Sequence, residues 1–279
     1  MNISIFAKPI FFKEDPGITT GSYLHRAASL IRGEQIAQFL GGKYNPTEGY
    51  ENDVCIYLKP RTLDHIKDGS FVDFSDCEEY LIGQLQSRSK IKVITSALYC
   101  FESLRKRLKN EMFLIPEHHC NFERIKRSRK EFTTGGIIAS PSTISFAVND
   151  EIRKRLEKIG LKFITYYDWR TRQDAVNFFK QIDFQVVIYS GSFNDYDITR
   201  HPNKLINAAS YGIPTLSKWK AGYKEFEGSY ILIQGIEDMI LEAEKLKNKD
   251  YYKMWSDKVT LAAESYHIEN VAKLYRQLT

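Results

Sequence analysis

Cysteine is scarce in this chain, and none of its four cysteines form a Cys-x-x-Cys pair. The spacing of Cys55, Cys77, Cys100 and Cys120 matches no zinc site, so they read as reduced thiols of a cytosolic protein. Long apolar runs are missing too. No stretch approaches the ~20 residues that cross a bilayer. The opening Met-Asn-Ile-Ser-Ile-Phe-Ala-Lys is charged too early for a signal peptide and reads as a first buried strand. Gly-x-Gly-x-x-Gly follows no strand, which weakens a dehydrogenase or epimerase reading. Gly-x-x-x-x-Gly-Lys-Ser/Thr is absent, which weakens a P-loop NTPase. Neither sign of charge dominates. With 40 Lys and Arg against 35 Asp and Glu, the net charge is +5. That balance suits a phosphorylated ligand or an anionic membrane surface and falls short of a nucleic-acid binder. No internal repeat or low-complexity segment is present.

Apolar residues make up 43% of the 279, with 17 Tyr and 17 Phe, enough for one large or two ordinary cores. Strand and helix patterns alternate from the start. Strands are expected at 3–7, 53–58, 71–74, 92–95 and 112–115. An amphipathic helix is expected over 23–40, with Leu24, Ala27, Ala28, Ile31, Ile36 and Leu40 recurring at helical spacing, and further helices at 78–86 and 97–108. Residues 123–134 are polar and basic, notably Arg-Ile-Lys-Arg-Ser-Arg-Lys from Arg124, and form the best linker candidate. The alternation then restarts. Strands are expected at 136–140, 162–166, 185–189 and 229–233, and helices at 150–159, 172–181 and 237–247. The tail, about 251–278, reads as helical throughout. Such alternation predicts an α/β protein with parallel, doubly wound sheets in two Rossmann-like domains. The expected domains are 1–128 and 129–262, with a C-terminal helix, 263–279.

The densest information lies in residues 197–215, Asp-Ile-Thr-Arg-His-Pro-Asn-Lys-Leu-Ile-Asn-Ala-Ala-Ser-Tyr-Gly-Ile-Pro-Thr. This is a polar loop, a short helix with small residues on one side, a glycine stop and a buried strand. Pro202 suits the first helical turn, where its missing N–H costs nothing. Gly212 ends the helix and Pro214 keeps it from resuming. Arg200, His201 and Lys204 cluster where the helix begins, and a helix N-terminus already attracts anions.

The run from Lys204 to Thr215 resembles the helix–Gly-x-Pro–strand signature of GT-B glycosyltransferases, in particular bacterial group 1-like enzymes of polysaccharide type. The likeness is sharpest over 183–235. It implies two Rossmann-like domains facing across a cleft, the first on the acceptor side and the second binding a nucleotide sugar, with a last helix crossing back to the first domain. The resemblance puts the donor diphosphate on Arg200, Lys204 and the backbone at Asn203. Many retaining members carry Glu-x7-Glu here; Thr199 and Asn207 stand at those positions, so no stereochemistry is implied. Asn207 is instead a candidate for a ribose hydroxyl. Ala221-Gly-Tyr-Lys-Glu225 resembles the Gly-Gly-x-x-Glu stretch of the family, which nominates Glu225 for the donor. Gly191 and Ser192 leave the end of a buried strand and are placed to border the nucleotide. Arg170, in Asp168-Trp-Arg-Thr-Arg172, follows another strand in the same way and is a phosphate candidate.

On the acceptor side, Ile115-Pro-Glu-His-His-Cys-Asn121 resembles the turn that follows a strand in many such chains, and makes Glu117 and His118 acid/base candidates. Adjacent histidines on an extended segment point apart, against a metal site. Asp76, at the end of Phe71-Val-Asp-Phe-Ser-Asp, is a further candidate base, with a helix cap before Glu78 and Glu79 as the plainer reading. Gly21, Ser22 and Arg26 lie after the first strand, where the family touches acceptor or phosphate.

The expected activity is therefore transfer of a sugar from a nucleotide sugar to a glycan or lipid-linked acceptor in polysaccharide assembly. It needs no tightly bound cofactor and no metal. The expected location is cytoplasmic, with peripheral membrane contact through the basic run. Two alternatives stay open: a non-catalytic GT-B-like partner subunit that binds a nucleotide or sugar, and another Rossmann-like nucleotide-dependent enzyme.

Overall fold

The structure, a computed structural model, describes residues 2–7, 28–60, 62–74, 79–139, 144, 150–169, 171–188 and 201–278. The chain divides into two units. Unit 1 takes in the described residues up to His118, His201 and the chain from Ile268 on; unit 2 runs from His119 and includes Pro202–His267.

Unit 1 is built on β1 (Ile3–Ala7), β2 (Lys43–Tyr44), β3 (Val54–Leu58), β4 (Phe71–Asp73), β5 (Lys92–Thr95) and β6 (Met112–Leu114). All pair in parallel, in the order β2-β1-β3-β4-β5-β6. A π-helical turn, Ser29–Glu34, runs directly into α1 (Gln35–Leu40). Helices α2 (Glu79–Ser87) and α3 (Leu98–Arg105) cover the sheet. Val72, Leu81, Leu85, Val93, Cys100 and Leu104 interlock in its core. β1, β4 and β5 are short runs buried almost throughout, as interior strands of a parallel sheet require, while the edge strands β2 and β6 are only partly covered.

Unit 2 carries β7 (Thr134–Ile138), α4 (Asp150–Lys158), β8 (Lys162–Tyr166), α5 (Arg172–Phe179), β9 (Phe184–Val187), α6 (Asn203–Ser210), β10 (Thr215–Ser217), β11 (Ile231–Leu232), α7 (Ile236–Lys245) and α8 (Lys249–Ala263). Its sheet, also parallel, has the order β11-β10-β9-β7-β8. The strand order therefore reverses direction beside β7 and β9. Such switch points are where open α/β sheets take their ligands, at the carboxyl ends of the strands. On α6, Ala208 packs with Phe178, Phe179 and Ile213, while Ala209 packs with Val187, Tyr223 and Val259. The small side chains thus let the helix sit between two apolar clusters.

Two elements differ from the sequence reading. The tail is not one helix: after α8 a 3-10 turn, Glu264–Tyr266, leads to an extended His267 (φ −65°, ψ 143°), and α9 (Ile268–Tyr275) follows. Long-range bonds make the break. The His119 N–H donates to the Tyr266 carbonyl at 3.0 Å, and His267 Nε2 lies 3.0 Å from the Phe122 carbonyl. α9 belongs to unit 1, where it packs on α1. Strand β2, only two residues long, escaped the reading.

The basic run is bonded within unit 2. Arg127 Nε and Nη2 donate to Asp183 Oδ1 at 2.9 and 2.6 Å, and Arg129 pairs with the same carboxylate. Arg124 pairs with Glu264. Arg124, Arg127 and Arg129 are thus engaged in unit 2.

Candidate functional sites in the two units

In unit 2 the sequence dictates where α6 begins and ends. Pro202 stands immediately before the helix, and its carbonyl accepts the Ile206 N–H at 3.0 Å. At the other end Gly212 takes φ +70°, in the left-handed region, and its N–H bonds the Ala209 carbonyl at 2.8 Å. A Cβ there would stand 2.6 Å from Ser256 Oγ, so glycine is needed for conformation and for space. Because α6 connects two neighbouring parallel strands, β9 and β10, its N-terminus lies at their carboxyl ends. The opening N–H groups of a helix have no acceptor within it, and its dipole favours an anion there. Lys204, half-buried, adds a full positive charge in that first turn.

Gln185, fully buried on β9, holds this turn from below. Its Nε2 donates to the Lys204 carbonyl at 2.8 Å and to Thr215 Oγ1 at 3.1 Å. Asn207 ties α6 to the start of the unit. Its Nδ2 donates to the Asn203 carbonyl at 2.8 Å and to Asn203 Oδ1, and its Oδ1 accepts the Cys120 N–H at 2.8 Å. Both ends of the amide thus bond inside the unit. Asn121 reinforces the tie by donating to the Ser210 carbonyl at 2.7 Å.

Lys220 escaped the sequence reading. It is buried, three residues past the carboxyl end of β10, and leads into the 3-10 turn Ala221–Phe226 that carries Glu225. Tyr223 and Phe226 anchor that turn in the core. Burial, and then the Glu225 carboxylate, push the Tyr266 phenol upward. Burial pushes the Cys120 thiol up to about 12, which disfavours the thiolate.

In unit 1 the segment after β6 carries the acid–base candidates Glu117 and His118. Glu117 is buried, and its Oε1 lies 3.2 Å from His201 Nε2. A carboxylate only accepts, so His201 Nε2 carries a proton. His118 Nε2 lies 2.9 Å from the Ile31 carbonyl, which fixes its tautomer in the same sense. The adjacent His119 instead packs edge-on against His267, ring centroids 5.3 Å apart.

The structure therefore joins Glu117 with His201, a residue the sequence placed only beside a helix start. It places Asn203, Lys204 and Asn207 on α6, and Glu225 on the turn after β10. Asp76, Arg170, Gly191, Ser192, Arg200, Gly21, Ser22 and Arg26 lie outside the described residues. Among the described residues no group of three or more His, Cys, Asp or Glu could hold a metal ion, and no helix is long and apolar enough to cross a membrane.

No protein-family model matches this chain, and no curated protein does. Solved structures do. A glycosyltransferase from Rickettsia africae ESF-5 is similar with a TM-score of 0.58 at 8% identity, over 99% of this chain and 97% of that one. The pneumococcal O-GlcNAc transferase GtfA, in complex with UDP and GlcNAc, gives 0.55 at 13% identity over 80% of this chain; the match spans only 56% of the GtfA chain. AviGT4, a glycosyltransferase involved in avilamycin A biosynthesis, gives 0.52 at 12% identity over 99% of this chain and 96% of its own. At these identities the likeness speaks for architecture. Together with the two all-parallel sheets, it gives this chain the two-unit, Rossmann-like α/β fold of the GT-B glycosyltransferases.

Proposed function

We propose that the chain is a glycosyltransferase that moves a sugar from a nucleotide-sugar donor to a hydroxyl of a glycan or glycoconjugate. The observation that carries the reading is Lys204 on the first turn of α6, at the carboxyl end of β9 and beside the switch point of the sheet. Transfer leaves a nucleoside diphosphate behind, and the developing negative charge needs fixed positive charge and N–H donors. The α6 N-terminus, Lys204 and Lys220 supply these in unit 2, and Arg200 is a further candidate from the sequence. In unit 1, Glu117 holds the His201 ring through Nε2, and the two form the acid–base pair for the acceptor's proton, as a carboxylate orients a catalytic histidine elsewhere. Unit 1 is then the acceptor side and unit 2 the donor side. A UDP-sugar is the first donor to try, since UDP is bound in the GtfA structure.

A non-catalytic binding subunit is the second reading. It is favoured by position 207, where an amide bonded within its own unit stands in place of a carboxylate.

Thermal melting with UDP, GDP, ADP, TDP and CMP tests the first step. One nucleotide should stabilise the wild type, because a ligand that binds only the folded state raises the melting point. Lys204→Ala removes one charged hydrogen bond, worth about 1.5–3 kcal/mol, and should weaken that binding by about 10- to 150-fold. No shift with any nucleotide at millimolar concentration would sink the proposal. Binding without turnover of the matching nucleotide sugar would select the second reading.

A further inference from the structure

Unit 1 contains a buried charged centre that the chemistry above does not use. Arg32, 1% exposed, comes from the π-helical turn before α1. Its Nε donates to Asp73 Oδ2 at 2.7 Å, and its Nη1 donates to the Ile115 carbonyl at 2.8 Å. Asp73, fully buried, is the last residue of β4. One guanidinium therefore ties a helical turn, a strand end and the segment that follows β6. Two residues beyond Ile115 comes Glu117, and then His118, whose ring is bonded to the carbonyl of Ile31, the neighbour of Arg32. The same short turn thus grips residues 115–118 at both ends. π-Helical turns are rare and tend to mark functional sites.

The centre is poorly designed for stability alone. Arg32 Nη2, Asp73 Oδ1 and the hydroxyl of Tyr275 on α9 are all buried with no partner among the described residues. Burial works against the Arg32 charge, yet Asp73, Tyr275 and Glu117 together hold its proton above the usual range. Burial likewise pushes the Tyr275 phenol upward, and it feels Arg32, Asp73 and Glu117. Apolar side chains of equal volume commonly replace such pairs without loss of stability. Unsatisfied buried groups in a native fold call for another explanation, and a catalytic role is one.

We propose that Arg32 and Asp73, with Tyr275 beside them, are positioning residues that fix residues 115–118 so that Glu117 holds the His201 ring. The inference rests on the reading of Glu117 and His201 as the acid–base pair.

The test uses the full chain labelled with 15N-histidine, in wild type, Arg32→Met/Asp73→Leu, Arg32→Lys and Tyr275→Phe. Arg32→Met/Asp73→Leu should stay folded while the ring resonances of His118 and His201 move. His65, which packs against Tyr57, should stay in place as the internal control. With a nucleotide sugar that the wild type turns over, kcat should fall about 10- to 100-fold with the donor KM unchanged. Arg32→Lys, which keeps the charge, should recover part of that rate. Unmoved His118 and His201 resonances in a folded Arg32→Met/Asp73→Leu protein would overturn the proposal. If that variant does not fold, Tyr275→Phe and Arg32→Lys decide it by the same resonances. A wild type that turns over no nucleotide sugar would remove the proposed function, while the spectra would still decide the positioning role.

Discussion

Replacing Asp183 with alanine should destabilise unit 2 by about 3–5 kcal/mol. The carboxylate is fully buried. Its Oδ1 takes Arg127 Nε and Nη2 at 2.9 and 2.6 Å, with Arg129 Nε 2.8 Å away, and its Oδ2 takes the N–H groups of Thr133 and Thr134, each at 2.7 Å. Alanine would orphan two N–H groups, at about 1–3 kcal/mol each, and strip two guanidinium groups of their counter-charge. These losses belong to one network and do not add. The arginine side chains, 12% and 32% exposed, can also turn toward water. The figure therefore stays near that for a buried pair broken from one side. For a unit of this size it corresponds to a fall of about 10 °C in melting temperature. Urea unfolding followed by tryptophan fluorescence is the assay, because Trp169, Trp219 and Trp255 all lie in unit 2. Burial shields the network from salt, so the loss should be similar at about 0.05 M and about 0.5 M NaCl. A loss under about 1 kcal/mol, or one that vanishes in high salt, would refute the reasoning and return residues 123–134 to the status of a linker.

Two further outcomes follow from local geometry. Gly212→Ala should cost the left-handed penalty, about 1–2 kcal/mol, plus a collision with Ser256. Gly41→Ala, at φ +68° with nothing within 4 Å of its Cβ, should cost the penalty alone. Equal losses in thermal melts would show that no collision occurs. Asp53 accepts from Ser4 Oγ at 2.7 Å and Lys43 Nζ at 2.9 Å, and these bonds, Ser4's first, hold its carboxyl below the usual range. A depressed folded value stabilises above the unfolded value of about 3.9 and is lost as pH falls through the lower one. Wild type should therefore exceed Asp53→Asn in urea midpoint at pH 7, and the two should converge below about pH 3; parallel curves down to that pH would contradict the assignment.

Local chemistry made much of the fold legible. The runs that become β1, β5 and β8 are short, apolar and bounded by polar turns, and they form strands where the pattern places them. The ends of α6 follow from Pro202 and Gly212, which restrict the backbone whatever surrounds them. Failures came where partners are distant. Nothing between residues 251 and 278 forbids helix, and the break at His267 exists because His119 and Phe122 bond to it and to Tyr266. The basic run read as a linker because Glu264 and Asp183, which pair Arg124, Arg127 and Arg129, lie far along the chain.

The candidate sites divide in the same way. The cation at a helix start was visible because Lys204 and the turn it occupies are contiguous in sequence. The Glu117–His201 pair was not, since two residues from different halves meet only through folding. Arg32, Gln185 and Lys220 were passed over for a related reason: burial is what sets them apart, and no neighbour in sequence announces it. By itself, then, the sequence determined the alternation of strand and helix, the parallel sheets and the anchoring of α6, because backbone restriction and apolar period act over a few residues. Tertiary structure alone decided which charges are paired, which polar groups are buried and which carboxylate meets which imidazole. Those depend on the solvent and charge that the folded chain places around each group.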